Sequence, residues 1–157
     1  MGFDELVKDL RNGTGLSRAK AAAGLGKLKD RRASGILIEA LKDPHAGVRN
    51  NAAYALGELG SAEAVPYLIT TLEDTEEWVR KSAAKALGML KAAGAVVALE
   101  LATNDPSSVV QKNAIRSLGK IGGDTAMLAL GRIAAGRNGA VAQLAREALE
   151  ELKSGTH

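Results

Sequence analysis

A chain of 157 residues that is 46% hydrophobic and 25% charged has the composition of one globular domain, long enough to bury a core without covalent staples. It has no cysteine, which excludes disulfides and thiolate metal sites, and no apolar run near the roughly 18 residues of a membrane span. A net charge of +3 means little until it is located on a surface.

The N-terminal Met1-Gly-Phe-Asp-Glu stretch is acidic and amphipathic and lacks the basic and apolar regions of a signal peptide, so a cytoplasmic protein is expected. A short amphipathic helix is predicted over residues 3–10. A second helix follows, and from there the pattern returns every 31 residues. Leu25, Leu56, Leu87, Leu118 and Leu149 fall in register, as do Ala21, Ala52, Ala83, Ala114 and Ala145. Gly26, Gly57, Gly88 and Gly119 keep the same step, with Glu150 departing from it in the fifth copy. The later first helices are predicted at about 34–42, 64–73, 95–103 and 125–135. The second helices carry the stronger pattern. In one of them Val48, Ala52, Ala55, Leu56 and Leu59 form a stripe at helical spacing.

Start and stop signals bracket these helices. Asp43-Pro44 and Asp105-Pro106 read as an N-cap acid followed by proline at the first helical position, and Asp74 to Glu77 as a capping box. Gly60 and the pair Gly122-Gly123 read as stops. One two-helix unit cannot bury its apolar face, but five stacked units share a core. The expected fold is all-α: a right-handed α-solenoid forming one domain over 1–157, with repeats at about 3–30, 34–61, 64–92, 95–123 and 125–153.

The motif Val48-Arg49-x-x-Ala52-Ala53-x-Ala55-Leu56-Gly57-x-Leu59-Gly60, and its copy around Trp78 to Gly88, resembles the short HEAT-like repeat of the phycobilin lyase type. The resemblance covers nearly the whole chain. It implies a solenoid whose second helices line the concave face. In function it points to bilin lyases, to scaffolds and to relatives that handle DNA.

On that face, positions 50, 51, 54 and 58 of the second repeat lie opposite the buried stripe at about 100° per residue. Down the stack they give Ala19, Lys20, Ala23 and Lys27; Asn50, Asn51, Tyr54 and Glu58; Lys81, Ser82, Lys85 and Met89; and Lys112, Asn113, Arg116 and Lys120. Bases far outnumber acids here until the fifth copy reverses the sign with Gln143, Glu147 and Glu151. The first helices lean acidic, through Asp4, Glu5, Asp9, Glu39, Glu63, Glu73 and Glu100. A basic inner face favours an anionic partner. Trp78, the sole tryptophan, is placed near the rim of this face, where it joins Tyr54 and Met89 as a candidate apolar anchor. The arginines Arg18, Arg49 and Arg80 recur at one register and are expected to bond the preceding loop or the acids Asp43, Asp74 and Asp105, locking repeat to repeat. The small pairs Ala53/Gly57 and Ala84/Gly88 read as helix-packing positions.

Nothing in the chain assembles a catalytic constellation. His45 and His157 are the two histidines, too few for a His-rich metal site. The His-Glu pairs that mark iron-dependent hydroxylases built on similar repeats are missing. Neither a Gly-x-Ser-x-Gly elbow nor a phosphate loop occurs. No cofactor or metal is expected. The expected function is a protein-binding scaffold that recognises an acidic surface or segment. Nucleic acid along the lysine-rich groove is one alternative; a tetrapyrrole whose propionates meet the same lysines, which the resemblance implies, is the other. The charged last helix, with Glu147, Glu150, Glu151 and Lys153, reads as a solenoid cap, so a monomer is expected, with a dimer through an end left open by Leu144.

Overall fold

The structure is a computed structural model that describes residues 1–155; His157 lies outside the described residues. Helices pair in chain order: α1 (Phe3–Asn12) with α2 (Gly15–Leu28), α3 (Ser34–Ala40) with α4 (Ala46–Leu59), and α5 (Val65–Thr71) with α6 (Glu77–Met89). Then come α7 (Val96–Ala102) with α8 (Ser108–Ile121), and α9 (Gly123–Ala134) with α10 (Gly139–Ser154). Among the described residues there is no strand. The protein is an α-solenoid of two-helix repeats. The first helices α3, α5 and α7 end one or two residues earlier than the pattern predicts, in turns bonded Lys42 N–H to Glu39 O, Glu73 N–H to Thr70 O and Asn104 N–H to Leu101 O. Each is preceded by a 3-10 turn, at Arg31–Ala33, Ala62–Ala64 and Ala93–Ala95.

Two leucine series fill the core. Leu25, Leu56, Leu87 and Leu118 of the second helices are fully buried. They meet a series from the first helices that the sequence reading did not single out: Leu37, Leu68, Leu99 and Leu130, all with no exposed surface, preceded by Leu6. Each such side chain contributes roughly 1.5–3 kcal/mol by leaving water.

The second helices stack directly on one another, and glycine sets their distance. A Cβ on Gly26, Gly57 or Gly88 would stand only 2.8–2.9 Å from the backbone Cα of Ala55, Ala86 or Ser117 in the next repeat. At Gly119 the nearest atom is the Cβ of Ala148, 3.8 Å away, so the last interface is looser. The first helices pack mainly on their own second helices and meet each other far less. A stack that is tight along one side and open along the other curves toward the tight side, which puts the second helices on the inner face. On α10, Arg146 and Glu150 replace the small pair seen at Ala53/Gly57, so that helix presents no comparable small-residue face.

The loops before the second helices correct the capping expectation. Asp43 and Asp74 do not cap, nor does Asp105, and Pro44 is not the first helical residue. The caps of α4, α6 and α8 are His45, Glu76 and Ser107, none of which makes a side-chain cap bond. The expected capping box at Asp74 to Glu77 is likewise absent. Each aspartate lies two residues upstream of its cap and accepts from the cap's own N–H, at 2.8 Å (His45), 3.0 Å (Glu76) and 2.8 Å (Ser107). Side-chain caps occur at Thr14 and Asn138, which accept from Ser17 N–H and Val141 N–H. The glycine stops hold: Gly60 is left-handed at φ 70°, and Gly122, at φ 62°, ends α8 and opens α9. Lys29 and Lys91 occupy the same register with φ 53° and 47°, a conformation better suited to glycine.

The aspartates are turned toward the preceding repeat. Arg18 grips Asp43 with Nε and Nη2 at 2.8 and 2.9 Å. Arg49 grips Asp74 at 2.8 and 3.1 Å, and Arg80 grips Asp105 at 2.8 and 3.1 Å. The third guanidinium nitrogen turns back to the loop before its own helix, donating to Gly13 O, Asp43 O and Asp74 O. Each arginine therefore ties three things: its own helix start, its own loop and the next repeat's loop. In the fourth repeat Gln111 keeps only the bond to its own loop, at Asp105 O. The pairs are largely buried, with Arg49 and Asp74 side chains 15% and 11% exposed. Hydrogen bonds from Arg18 hold the Asp43 carboxyl below the usual carboxylate range. For Asp74, burial pushes the carboxyl up, but the bonds from Arg49 and the Glu76 N–H outweigh it and the net direction is down.

Two predictions follow from this packing. Gly88→Ala will destabilise the protein by about 1–3 kcal/mol through overpacking, whereas Gly119→Ala, with room for its methyl, will stabilise it by up to about 1 kcal/mol through helix propensity; thermal melts of the two variants compare them directly. Arg49→Met will cost about 2–3 kcal/mol in urea denaturation at neutral pH, because it leaves Asp74 buried without its charge partner. Since Asp43 and Asp74 titrate lower when folded, their contribution is complete above the unfolded carboxylate pKa near 4 and fades as pH falls through the folded values. Arg49→Met will therefore flatten the acid limb of the stability profile.

Candidate functional site

The inner face is built from about one outward-facing residue per helical turn on each second helix. On α6 these are Trp78, Lys81, Lys85 and Met89; on α8 they are Val109, Lys112, Arg116 and Lys120. Lys81, Lys112, Arg116 and Lys120 are exposed, and Lys85 and Met89 are half-buried. The helical repeat dictates this, since the residues follow one another at three- and four-residue steps on the side opposite Ala83 and Leu87, or Ala114 and Leu118. The 31-residue step then sets Lys81 beside Lys112 and Lys85 beside Arg116.

The ion pairs of the described residues lie elsewhere, in the Arg18, Arg49 and Arg80 ladder, at Arg32–Asp30 and at Arg132–Glu100. None involves the five bases of α6 and α8. Lys85 has one neighbour of note: its ammonium stands 5.1 Å from the centroid of the Tyr54 ring on α4, an attraction that orders both side chains. Lys20 and Lys27 are exposed on α2. They are separated from the cluster by the neutral Asn50 and Tyr54 and by Glu58, whose carboxylate lies over Gly26.

Three predicted site residues are already engaged. Asn51 donates to Ala19 O at 2.8 Å, Asn50 donates to Asn51 Oδ1 and accepts from Ser82 Oγ at 2.6 Å, and Asn113 donates to Val109 O. Asn51 and Ser82 thus face the preceding second helix and belong to the seam between repeats, whereas Asn113 bonds back within its own helix. Ser117 extends the seam by donating to Ala84 O at 2.6 Å. The sequence reading missed this polar seam, although small polar residues beside the glycine step were its visible signal. Trp78 stands at the rim, 45% exposed, and its indole Nε1 donates to Glu76 Oε2 at 3.0 Å. The Met89 sulfur packs against Gly57. His45 lies between Gly15 and Gly47 of successive helices, a packing position.

The outer side differs. Its first helices leave a groove of about 410 Å³ between α5 and α7, lined by Ile69, Leu72, Glu73, Ala98 and Leu101. Val97, Leu101 and Leu128 are exposed there. Among the described residues, no group of three or more His, Asp or Glu side chains is placed to hold a metal ion, and no helix is long and apolar enough to cross a membrane.

Stacked helical hairpins with a tight inner seam and an exposed basic stripe define a repeat scaffold. Residues 3–88 and 66–150 match the model of HEAT repeats, and the chain belongs to that family; its short repeat is of the phycobilin lyase type. Among solved structures it is similar to the complex of CpcE and CpcF of phycocyanin lyase from Nostoc sp. PCC7120, with a TM-score of 0.82 and 29% identity over 98% of this chain and 66% of that one. This chain therefore spans just under two thirds of that protein's length. A designed armadillo repeat protein in complex with the peptide (KR)4 shares the fold, with a TM-score of 0.71 and 24% identity over 94% of this chain and 80% of that one. No curated protein matches the sequence closely.

An exposed indole at the rim gives a direct check. Acrylamide will quench the Trp78 emission readily, though less freely than that of a small indole in water because part of the ring is covered; strong protection would show that the side chain is buried.

Proposed function

We propose that this solenoid is a protein-binding scaffold whose inner face, at α6 and α8, receives an acidic surface or segment of its partner. The observation that carries the reading is the set of five bases, Lys81, Lys85, Lys112, Arg116 and Lys120, that share one face of α6 and α8, none of them held in an ion pair. Bases clustered in this way repel one another and are solvated one by one, and an incoming anion relieves both costs. Stacked helices supply the site preformed, so binding orders little of the protein. Tyr54 and Trp78 flank the cluster with aromatic surface, the kind of group that anchors interfaces. Lys20 and Lys27 lie two helices away and serve a long partner only.

A second reading has a specific observation behind it, the similarity to the lyase complex. On that reading the carboxylates are tetrapyrrole propionates, and adding a free bilin will shift its visible absorbance.

The test is charge reversal. A Lys81→Glu, Lys85→Glu, Arg116→Glu variant, checked for an unchanged circular dichroism spectrum, will lose capture of a specific protein that the wild type recovers from lysate at low salt. Recovery unaffected by the reversal places the binding face elsewhere. Recovery of nuclease-sensitive material instead makes the ligand a nucleic acid, whose affinity would fall steeply with salt.

A further inference from the structure

The rows of bases have a spacing, and the spacing selects among acidic partners. Lys81 and Lys112 occupy equivalent positions on neighbouring helices, as do Lys85 and Arg116. Helices packed side by side stand about 8–10 Å apart, and the glycine contacts at Gly57 and Gly88 keep α4, α6 and α8 close. A chain in the polyproline II conformation has three residues per turn and rises about 3.1 Å per residue, so it presents the same side every 9 Å or so. One turn of such a chain matches one repeat of the solenoid. A β-strand, by contrast, presents the same side every second residue, at about 6.6 Å, and falls out of step with the helices.

Resting on the acidic-partner reading above, we infer that the inner face recognises an extended acidic segment with carboxylates three residues apart, Glu-x-x-Glu or its aspartate equivalent, crossing α6 and α8. One carboxylate meets the Lys81/Lys85 pair and the next meets the Lys112/Arg116 pair, with Lys120 beside them. The rows end sharply on both sides. On α4 the equivalent places are Asn50, bonded to Ser82 and Asn51, and Tyr54, stacked on Lys85. On α10 they are Gln143 and Glu147, which bond one another. A third acid at the same step toward α10 meets Glu147 and is repelled. The site thus accepts two properly spaced carboxylates and gains nothing from a longer acidic run in that direction. An unfolded segment suits such a site, since its backbone stays solvated in this conformation.

The test uses the full chain and synthetic peptides in a proline-alanine frame, each carrying two glutamates placed adjacent, two apart or three apart. Dissociation constants come from fluorescence anisotropy at low salt. The three-apart peptide will bind about fivefold tighter than the others, the factor expected from one well-placed surface ion pair. A gain-of-function variant guards against loss by misfolding. Glu147→Lys will tighten binding of a peptide with three glutamates at that step by about fivefold more than it tightens binding of the two-glutamate peptide. Equal affinity for all three spacings overturns the spacing inference but leaves the acidic partner intact. If no acidic peptide binds at low salt, the acidic-partner reading itself is overturned.

Discussion

The distance between successive second helices governs this molecule, and glycine at one register sets it. With Gly26, Gly57 and Gly88 at the crossing points, the backbones of α2, α4, α6 and α8 approach until the next helix's Cα lies where a side chain would begin. Three consequences share that cause. The stack curves, because the first helices have no such contact and splay. Small polar side chains at the seam, Asn50, Asn51, Ser82 and Ser117, are brought into hydrogen-bond range across repeats. And the exposed bases of α6 and α8 are drawn into neighbouring rows on one face.

The arginine–aspartate ladder is the outer guard of the same arrangement. The glycine seam fixes how near two repeats stand, but small apolar contacts resist sliding weakly. A planar guanidinium held by both oxygens of the next repeat's aspartate, while bonded to its own loop, fixes the register along the helix axis. The ladder runs through the first three repeats and stops at Gln111, and the glycine contact is loose at the following step, Gly119. Both devices therefore weaken together at the junction of α8 and α10, leaving the fifth repeat the least constrained against its neighbour.

Much of this was readable in the residues. The 31-residue step, the buried leucine and alanine stripes, the packing role of the glycines and the arginine–aspartate pairing follow from periodicity and from what each side chain can reach. Capping was misread because Asp-Pro imitates a helix start. The arginine 25 residues earlier is expected from the sequence to bond the same carboxylate, but the structure adds that this aspartate also accepts from an N–H two residues later, so the helix starts downstream of it. Lys29 and Lys91 hid their left-handed backbone behind an ordinary residue type, although their register with Gly60 and Gly122 pointed to it. The basic face was half legible. Sequence spacing placed Lys81, Lys85, Lys112, Arg116 and Lys120 together, but angular position alone could not separate open surface from seam, so Asn50 and Asn51 were grouped with them.

The central claim is that function resides on the inner face of α6 and α8. Amide chemical shifts of the labelled protein, followed while a glutamate-rich peptide is added at low salt, test it most directly. The account predicts shifts concentrated on residues 78–89 and 109–120, with the Trp78 indole resonance moving alongside them. Shifts confined to α5, α7 and α9, around the groove lined by Ile69 and Leu101, would contradict it and transfer the binding role to the outer side of the solenoid.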